Sequence, residues 1–242
     1  MSILRSIARA HAQQAFNPTR LGLLLNPFYF ARRGLRDAIL SARPHVHGRV
    51  LDVGCGQKPY LSHFDVSEYV GLEIDTPNTR SAGKADAFYD GRSFPFDDSS
   101  FDSVVCNQVL EHVFEPRQFL SEVRRVLKAD GKVVFTVPFV WDEHEQPYDY
   151  ARYSSFGVRY LFESNGFEVV ESRKTISGVR AVSQVLNTYF VKINPFRTVK
   201  RRLVFEVLTS APINLLGELA AHVLPENADL YLDNLIVASK RP

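Results

Sequence analysis

The chain has 242 residues, of which 45% are hydrophobic and 23% charged, and its formal net charge is +2. This balance is that of an ordinary globular protein and excludes collagen-like and disordered chains. Two cysteines, Cys55 and Cys106, are too few for the disulfide framework of a small secreted domain. Unbroken apolar runs, such as residues 21–25, fall far short of the roughly 20 residues that span a bilayer, so we expect no transmembrane helix.

Charge is distributed unevenly along the chain. The first 50 residues hold eight arginines and a single acidic residue, Asp37. They lack the apolar core of a secretory signal, so we expect a cytoplasmic protein. A basic arm that also carries Phe28, Tyr29 and Phe30 could bind RNA or an anionic membrane surface, or it could be a solvated, partly helical extension. A peripheral position at the inner face of the membrane therefore stays open.

The first two thirds of the chain alternate between two hydrophobic periodicities. Residues 117–128 have the apolar spacing of an amphipathic helix, and Pro116 suits its first turn. Short runs rich in β-branched and aromatic residues predict strands, and Asp130-Gly131 predicts a turn before the last of them. These runs are residues 49–53, 69–74, 100–107 and 132–137. Strands that alternate with helices predict a parallel α/β sheet.

The last third contains a long interruption between two predicted strands. Residues 154–165 predict a helix closed by Gly166, followed by a strand at 167–170, and residues 230–239 predict a final strand. Between them, residues 175–229 show helical apolar spacing with three interrupting prolines and a basic cluster at 197–202. This helical insertion could be a lid, an oligomer interface or a membrane-surface patch. The predicted division is a basic N-terminal helical extension (1–47), a core (48–174), the insertion (175–229) and a final strand completing the core sheet (230–242).

A glycine loop follows the first predicted strand. Gly54-Cys55-Gly56 allows a tight turn and removes the Cβ atoms that would block a nucleotide. Glu73 ends the second strand 17 residues beyond Gly56, close to the spacing at which a carboxylate binds ribose hydroxyls. The third glycine of the dinucleotide fingerprint is replaced by Pro59, which disfavours NAD. The pattern therefore favours an adenosine-type ligand other than NAD.

The segment Val50-Leu51-Asp52-Val53-Gly54-Cys55-Gly56 resembles the first motif of class I S-adenosylmethionine-dependent methyltransferases of the type 11 group. Further segments resemble later motifs of that family in the same order, over residues 48–172. These segments are Gly71-Leu72-Glu73-Ile74-Asp75, Asp86-Ala87, Ser100 to Val105 with Asn107 to Val113, and Arg125-Val126-Leu127-Lys128 with Gly131. Many family members carry a third glycine at the position of Lys58, and Pro-Gly where this chain has Ala129-Asp130.

The resemblance implies a Rossmann-like α/β fold and a ligand site. The implied sheet has seven strands, mostly parallel with an antiparallel last strand, and helices on both faces. S-adenosylmethionine would bind at the carboxyl ends of the central strands, leaving S-adenosylhomocysteine as product. By position in the motifs, the residues expected at the cofactor are Asp52, Gly54, Cys55, Gly56, Glu73, Asp86, Ala87, Asn107 and Gln108.

The family roles have structural alternatives. Glu73 would bind the ribose, Asp86 and Ala87 would flank the adenine, and Asn107 with Gln108 would lie near the sulfonium. Asp86 could instead be a solvated turn residue, and Cys55 a small packing residue.

The loop after the fifth strand is dense in titratable and aromatic residues, and it predicts the acceptor site. His144 is the candidate general base, because an imidazole accepts a proton near neutral pH, and Glu145 or Asp149 would orient it. Asp149 and Arg152 could instead form an ion pair that caps the next helix. His112 and His144 lack the i, i+4 spacing and the cysteine partners of a zinc motif, so we expect no metal site.

The predicted function is that of an S-adenosylmethionine-dependent methyltransferase acting on an O or N nucleophile. The acceptor would be a small molecule or a sugar- or lipid-linked group. Nucleic acid is disfavoured, because Asn107-Gln108-Val109 differs from the Asn/Asp-Pro-Pro-aromatic motif of enzymes that methylate base amino groups. The alternative is a non-catalytic protein that keeps a nucleotide pocket and serves as a membrane-surface or partner-binding module.

Overall fold

The computed structural model describes residues 16–241, which form two compact units. The described part of the helical unit comprises residues 16–37, 140–142 and 174–232, and that of the sheet unit comprises 38–139, 143–173 and 233–241. The sequence analysis divided the chain differently, because it treated 1–47 and 175–229 as separate segments. Long-range hydrogen bonds explain the difference: Gln184 donates to the carbonyl of Pro27 at 2.9 Å and accepts from the amide of Ala31 at 3.1 Å.

The sheet unit is built on seven strands in the spatial order β3-β2-β1-β4-β5-β7-β6. Strands β1 to β5 pair in parallel with their neighbours, whereas β7 pairs with β5 antiparallel. The strands are β1 Arg49–Val53, β2 Glu68–Ile74, β3 Ala87–Tyr89, β4 Phe101–Asn107, β5 Leu127–Pro138, β6 Phe167–Lys174 and β7 Asp233–Lys240. The predicted seven-stranded, Rossmann-like fold class is therefore confirmed.

Strand bounds differ from the predictions by more than one residue at four places, one of which is β6, predicted over 167–170 and ending at Lys174. β5 begins at Leu127, and the predicted turn at Asp130-Gly131 is instead a register shift in the β4–β5 pairing, between Phe101 and Ser103. The pairing advances from Leu127 to Lys132 in β5 while it advances only from Phe101 to Ser103 in β4, so the predicted turn coincides with the residues that leave the regular pairing. β3 was not predicted because it is only three residues long, and β7 begins three residues later than expected.

Helices cover both faces of the sheet. The alternation of side chains along each strand sends Leu51 and Val104 to one face, where they meet Leu120 of α4, and Val50 and Val105 to the other, where they meet Ile39 of α2. The helices are α1 Gly22–Leu25, α2 Tyr29–Ala42, α3 Pro77–Ala82, α4 Pro116–Val126, α5 Ser155–Ser164, α6 Gly178–Lys192 and α7 Val199–Val223. Three 3-10 turns lie at Arg43–His45, Leu61–His63 and Leu110–His112.

The helical unit contains α1, α6, α7 and most of α2. Among residues 16–241, α7 alone has the length and apolar composition of a membrane-crossing helix, with 25 residues and a best-window mean hydropathy of 1.4. Length and composition by themselves are weak evidence that a helix crosses a membrane. The expectation of no such helix rested on unbroken apolar runs, and polar residues interrupt the apolar sequence of α7 at wide intervals.

Substitution of Leu120 measures how much the core between the sheet and α4 contributes to the stability of the protein. Its side chain is fully buried among aromatic and β-branched residues. We expect Leu120→Ala to lower the free energy of unfolding by about 2–5 kcal/mol, because the substitution leaves a cavity. Phe156→Ala, at an 82% exposed position on α5, is the control and is expected to change it by less than about 0.5 kcal/mol. Denaturant unfolding measures both, and equal losses would contradict this description of the core.

Candidate active site

The loop after β1 needs glycine at two positions for different reasons. Gly54 and Gly56 have φ angles of +68° and +48°, a region that disfavours residues with a Cβ. A Cβ on Gly54 would lie 2.3 Å from Cγ2 of Val109, so that position is closed by packing. A Cβ on Gly56 would meet no atom of residues 16–241 within 4 Å. The second glycine therefore faces open space, as a backbone that receives a ligand does.

Glu73 joins the end of β2 to this loop. The amide of Gly56 donates a hydrogen bond of 2.6 Å to Oε1 of Glu73. Burial raises the pKa of Glu73 and the nearby charge of Glu145 raises it further, although the amides of Gly56 and Ile74 act in the opposite direction. The two features that the sequence analysis combined, the glycine loop and the acidic residue after the second strand, are thus in direct contact.

Asp52 lies within β1 beneath the loop and is almost completely buried. The hydroxyl of Tyr69 donates to its Oδ2 at 2.8 Å. Burial raises the pKa of Asp52 to about 7, because an ionised carboxylate loses hydration there. Burial likewise raises the pKa of the Cys55 thiol to about 12, so the thiol is neutral near neutral pH, and its place at the cofactor stays a prediction.

Asp86 forms a hydrogen bond and an ion pair with other residues of the chain. Its Oδ2 accepts a hydrogen bond of 2.6 Å from the amide of Gly71 and pairs with the ammonium group of Lys58. Burial acts to raise the pKa of Asp86, but these two partners outweigh it and hold the pKa below its usual value. Ala87, the next residue, begins β3. The structure thus places Asp86 at the edge of β2, and its proximity to an adenine stays a prediction.

Thr136 of β5 fixes both amide residues at the end of β4. Its hydroxyl donates to Oδ1 of Asn107 at 3.2 Å, and its carbonyl accepts from the amide of Gln108 at 2.9 Å. Gln108 has a φ of +55°, a conformation uncommon for a residue with a side chain. Sequence reasoning assigned no role to Thr136, since the pairing of β4 with β5 is what brings it to Asn107.

Asp149 is the carboxylate beside His144. Its Oδ2 lies 3.4 Å from Nδ1 of His144 and accepts from the His144 amide at 2.9 Å. Arg152 donates to both carboxylate oxygens, each at 2.6 Å, and lowers the pKa of Asp149 to about 2. The alternative ion pair is therefore present together with the histidine contact. Ser154, whose hydroxyl accepts from the amide of Gly157, caps the next helix instead.

Glu145 does not share the position of Asp149. It has a φ of +50°, and its charge acts on Glu73. Glu145 thereby connects the loop after β5 electrostatically to the ligand-facing end of β2. Of the two carboxylates predicted to orient His144, Asp149 is the one that contacts it.

Glu111 is a buried carboxylate to which sequence reasoning gave no role. Its side chain is fully buried, and neither of its oxygens has a hydrogen-bond partner among the described residues. Burial raises the pKa of Glu111 to about 8, so the group retains a proton at neutral pH. Its motif, Leu110-Glu111-His112, was visible in the sequence, but its burial follows from the turn after β4.

Glu111, His112 and His144 form a cluster. Nδ1 of His112 donates to the carbonyl of Tyr148 at 2.8 Å, its Nε2 lies 3.9 Å from Oε1 of Glu111, and the two imidazole rings are 4.7 Å apart. One potential ligand atom from each of the three residues lies within 4.8 Å of the others. These side chains could hold a divalent cation or exchange a proton. The expected absence of a metal stays a prediction, which metal analysis of the purified protein tests.

The fold and these loops define an open α/β protein with a ligand site at the carboxyl ends of β1, β2 and β4, where the strand order reverses. Residues 51–135 match a family model described as a methyltransferase domain. This segment is about a third of the chain, and its match confirms the resemblance to class I methyltransferases noted from the motifs.

Two curated relatives extend the comparison. An uncharacterized protein of Methanocaldococcus jannaschii is 25% identical over 58% of this chain and 75% of its own length. An uncharacterized methyltransferase of Mycobacterium leprae is 35% identical over 38% of each chain. The matches to the mycobacterial protein therefore span less than half of its length.

Among solved structures, phosphoethanolamine N-methyltransferase 2 of Haemonchus contortus, in complex with S-adenosyl-L-methionine, superposes with a TM-score of 0.54. The match covers 95% of this chain and 59% of that one at 16% identity. At this identity the likeness establishes the fold.

The raised pKa of Asp52 predicts a pH dependence of stability. Because the folded state binds this proton more tightly than the unfolded state, the contribution of Asp52 is fully present below about pH 3.8 and is lost as pH rises through about 7. Asp52→Asn cannot ionise and still accepts the hydrogen bond from Tyr69. We expect its free energy of unfolding, relative to that of the original chain, to be higher at pH 8 than at pH 5. Denaturant unfolding at both pH values measures this, and a constant difference would refute it.

Proposed function

We propose that this protein transfers a methyl group from S-adenosylmethionine to an O or N nucleophile on a small molecule or a sugar- or lipid-linked acceptor. The proposal rests on the hydrogen bond between Gly56 and Glu73, next to the side of Gly56 on which a Cβ would meet no described atom. The His144–Asp149 pair lies in the same unit. The Haemonchus contortus methyltransferase of the same fold is in complex with S-adenosyl-L-methionine. We further propose that the protein acts in the cytoplasm.

The residues present fit this cofactor. Gly56 leaves room where a side chain would stand, and Glu73 offers an acceptor for ribose hydroxyls. The side-chain amides of Asn107 and Gln108 both contact Thr136. Their carbonyl oxygens carry a partial negative charge, which is compatible with a positively charged sulfur. Bound S-adenosylmethionine supplies an electrophilic methyl group. The protein's own task is to align an acceptor with that group and to keep competing water away.

His144 is proposed to take the proton that the acceptor loses. Asp149 stays ionised because Arg152 neutralises it, and its carboxylate lies beside Nδ1 of the imidazole. A carboxylate at Nδ1 holds the ring in one orientation and stabilises the imidazolium that forms when Nε2 accepts a proton. Asp149 is thus a positioning residue, and Glu145 is assigned to the edge near Glu73.

The alternative function is that of a non-catalytic protein that keeps the pocket and binds a partner. In that case Glu73 would still bind the ligand, whereas His144 would have no role in a reaction.

Calorimetry with S-adenosylmethionine and S-adenosylhomocysteine, with NADH as control, is the first test of the proposal. We expect micromolar binding of the first two. Glu73→Ala is expected to weaken this binding about tenfold or more, because the ribose contacts are lost.

Glu68→Ala is the matched control for this measurement. Glu68 lies on the same strand, and its exposed side chain pairs with Arg49. We expect its loss to leave cofactor affinity unchanged. Equal affinity of the original chain and Glu73→Ala would overturn the assignment of Glu73, and the absence of any S-adenosylmethionine binding would overturn the proposed activity.

His144→Ala separates catalysis from binding. We expect kcat with an acceptor found by labelled-methyl screening to fall about tenfold or more, because the acceptor proton has no base, with the affinity for S-adenosylmethionine nearly unchanged. His222→Ala, on an exposed residue of α7, serves as control. A fully active His144→Ala protein would remove His144 from the mechanism and leave the cofactor assignment intact.

A further inference from the structure

The polarity of the two long helices of the helical unit is inverted. In α7, every fully buried residue is polar or glycine, and they lie on one face: Glu206, Ser210, Asn214 and Gly217. The large apolar side chains project outward from the opposite face: Val204, Leu208, Leu215, Leu216, Leu219 and Val223. A helix of a water-soluble unit normally buries the second set and exposes the first.

Helix α6 shows the same inversion. Its buried residues include Ser183, Gln184, Asn187 and Thr188. Its exposed apolar residues, Val182, Val185, Leu186 and Tyr189, recur at helical spacing along the other face. Two successive helices with the same inversion indicate a shared apolar surface of α6 and α7, beyond the scattered exposed apolar residues that any protein has.

The polar interior of the unit contains specific hydrogen bonds, although Oδ1 of Asn187 and Oγ of Ser210 have no hydrogen-bond partner among the described residues. Asn187 donates to Oδ1 of Asn214 at 2.8 Å, and Asn214 donates to the carbonyls of Leu23 and Asn26, each at 3.1 Å. Gly217 lies so close to Ser183 that an added Cβ would stand 2.3 Å from its hydroxyl oxygen. In an apolar environment such as lipid, burial of apolar side chains does not drive helices together. Helices there associate through small residues at their contact and through hydrogen bonds between them, as in this unit.

Basic residues mark the turn that joins the two helices. Arg197, Lys200, Arg201 and Arg202 are all exposed within six residues, whereas Glu206 is buried and paired with Arg202. Such a cluster is complementary to anionic lipid headgroups and disfavours insertion of the turn into the acyl layer. With 15 residues, α6 is about 22 Å long, shorter than the roughly 30 Å hydrocarbon core. The geometry therefore suits helices lying in the interface with the basic turn at the headgroups.

We propose that the exposed apolar faces of α6 and α7 bury themselves in the surface layer of an anionic bilayer, with residues 197–202 on the headgroups. Leu21, which precedes α1, and Leu24, which lies in α1, are two further exposed leucines of the same unit. The inference concerns a membrane surface and does not depend on the proposed methyl transfer.

Vesicle flotation of the full chain tests the proposal. We expect the protein to float with phosphatidylcholine vesicles containing about one third phosphatidylglycerol, and less with phosphatidylcholine alone. The double variant Leu208→Glu/Leu219→Glu, at two exposed positions of α7, is expected to lower the partition coefficient at least tenfold. Lys200→Glu/Arg201→Glu is expected to lower binding to the anionic vesicles and to leave binding to neutral ones unchanged.

Phe156→Glu is the matched control, since it places the same charge at an exposed apolar position of α5 in the sheet unit. It is expected to float like the original chain, and circular dichroism checks that all variants are folded. Absence of flotation at low salt, or flotation unaffected by Leu208→Glu/Leu219→Glu, would overturn the proposal. So would a dimer in light scattering that the double variant converts to monomer, because a second copy would then cover the face. Binding of S-adenosylmethionine by calorimetry is measured in parallel, so that failure of this inference is distinguishable from failure of the proposed activity.

Discussion

The parallel pairing of β1 with both β2 and β4 is the constraint on which the candidate site depends. Parallel strands end at the same edge, so the glycine loop, Glu73 and Asn107 are brought together although they are far apart in the sequence. The order of strands reverses at β1, which is where open α/β sheets generally bind ligands. The hydrogen bond from Gly56 to Glu73 lies on the β2 side of β1, and the contact of Thr136 with Asn107 lies on the β4 side.

Three carboxylates of the site differ in pKa because their surroundings differ. Asp149 has an arginine on both oxygens and stays ionised, whereas Glu111 is buried without a hydrogen-bond partner among the described residues and retains a proton at neutral pH. Glu73 lies between these extremes, because burial and backbone amides act on its pKa in opposite directions. Carboxylates whose pKa values are pushed apart in this way are frequent at functional sites. Glu111 thus lies with His112 beside His144, the imidazole that the proposed mechanism uses as its base.

The two units solve the burial of apolar surface in different ways. The sheet unit covers both faces of its sheet with helices and places β-branched, aliphatic and aromatic side chains inside. In the helical unit, the buried residues of α6 and α7 are mostly amides, hydroxyls and glycine, and several large aliphatic side chains are exposed. The hydrophobic effect therefore stabilises the first unit internally, whereas the second has a small apolar cluster around Ala31, Ala181 and Leu232 and leaves the apolar faces of α6 and α7 uncovered.

The sequence by itself determined the parts of the protein that local patterns encode. Periodicity located β1, α4 and α5, and the loop at Gly54 to Gly56 with Glu73 indicated an adenosine-type ligand. The ordered motifs over residues 48–172 carried the resemblance to class I methyltransferases. The tertiary structure alone decided which partner each side chain received: Asp149 beside His144, Glu145 near Glu73, and Thr136 under Asn107. It also decided that Asn187 and Asn214 lie inside and Leu208 and Leu219 outside. The physical reason is that helical spacing defines two faces but not which one is buried, and only packing between segments distant in sequence makes that choice.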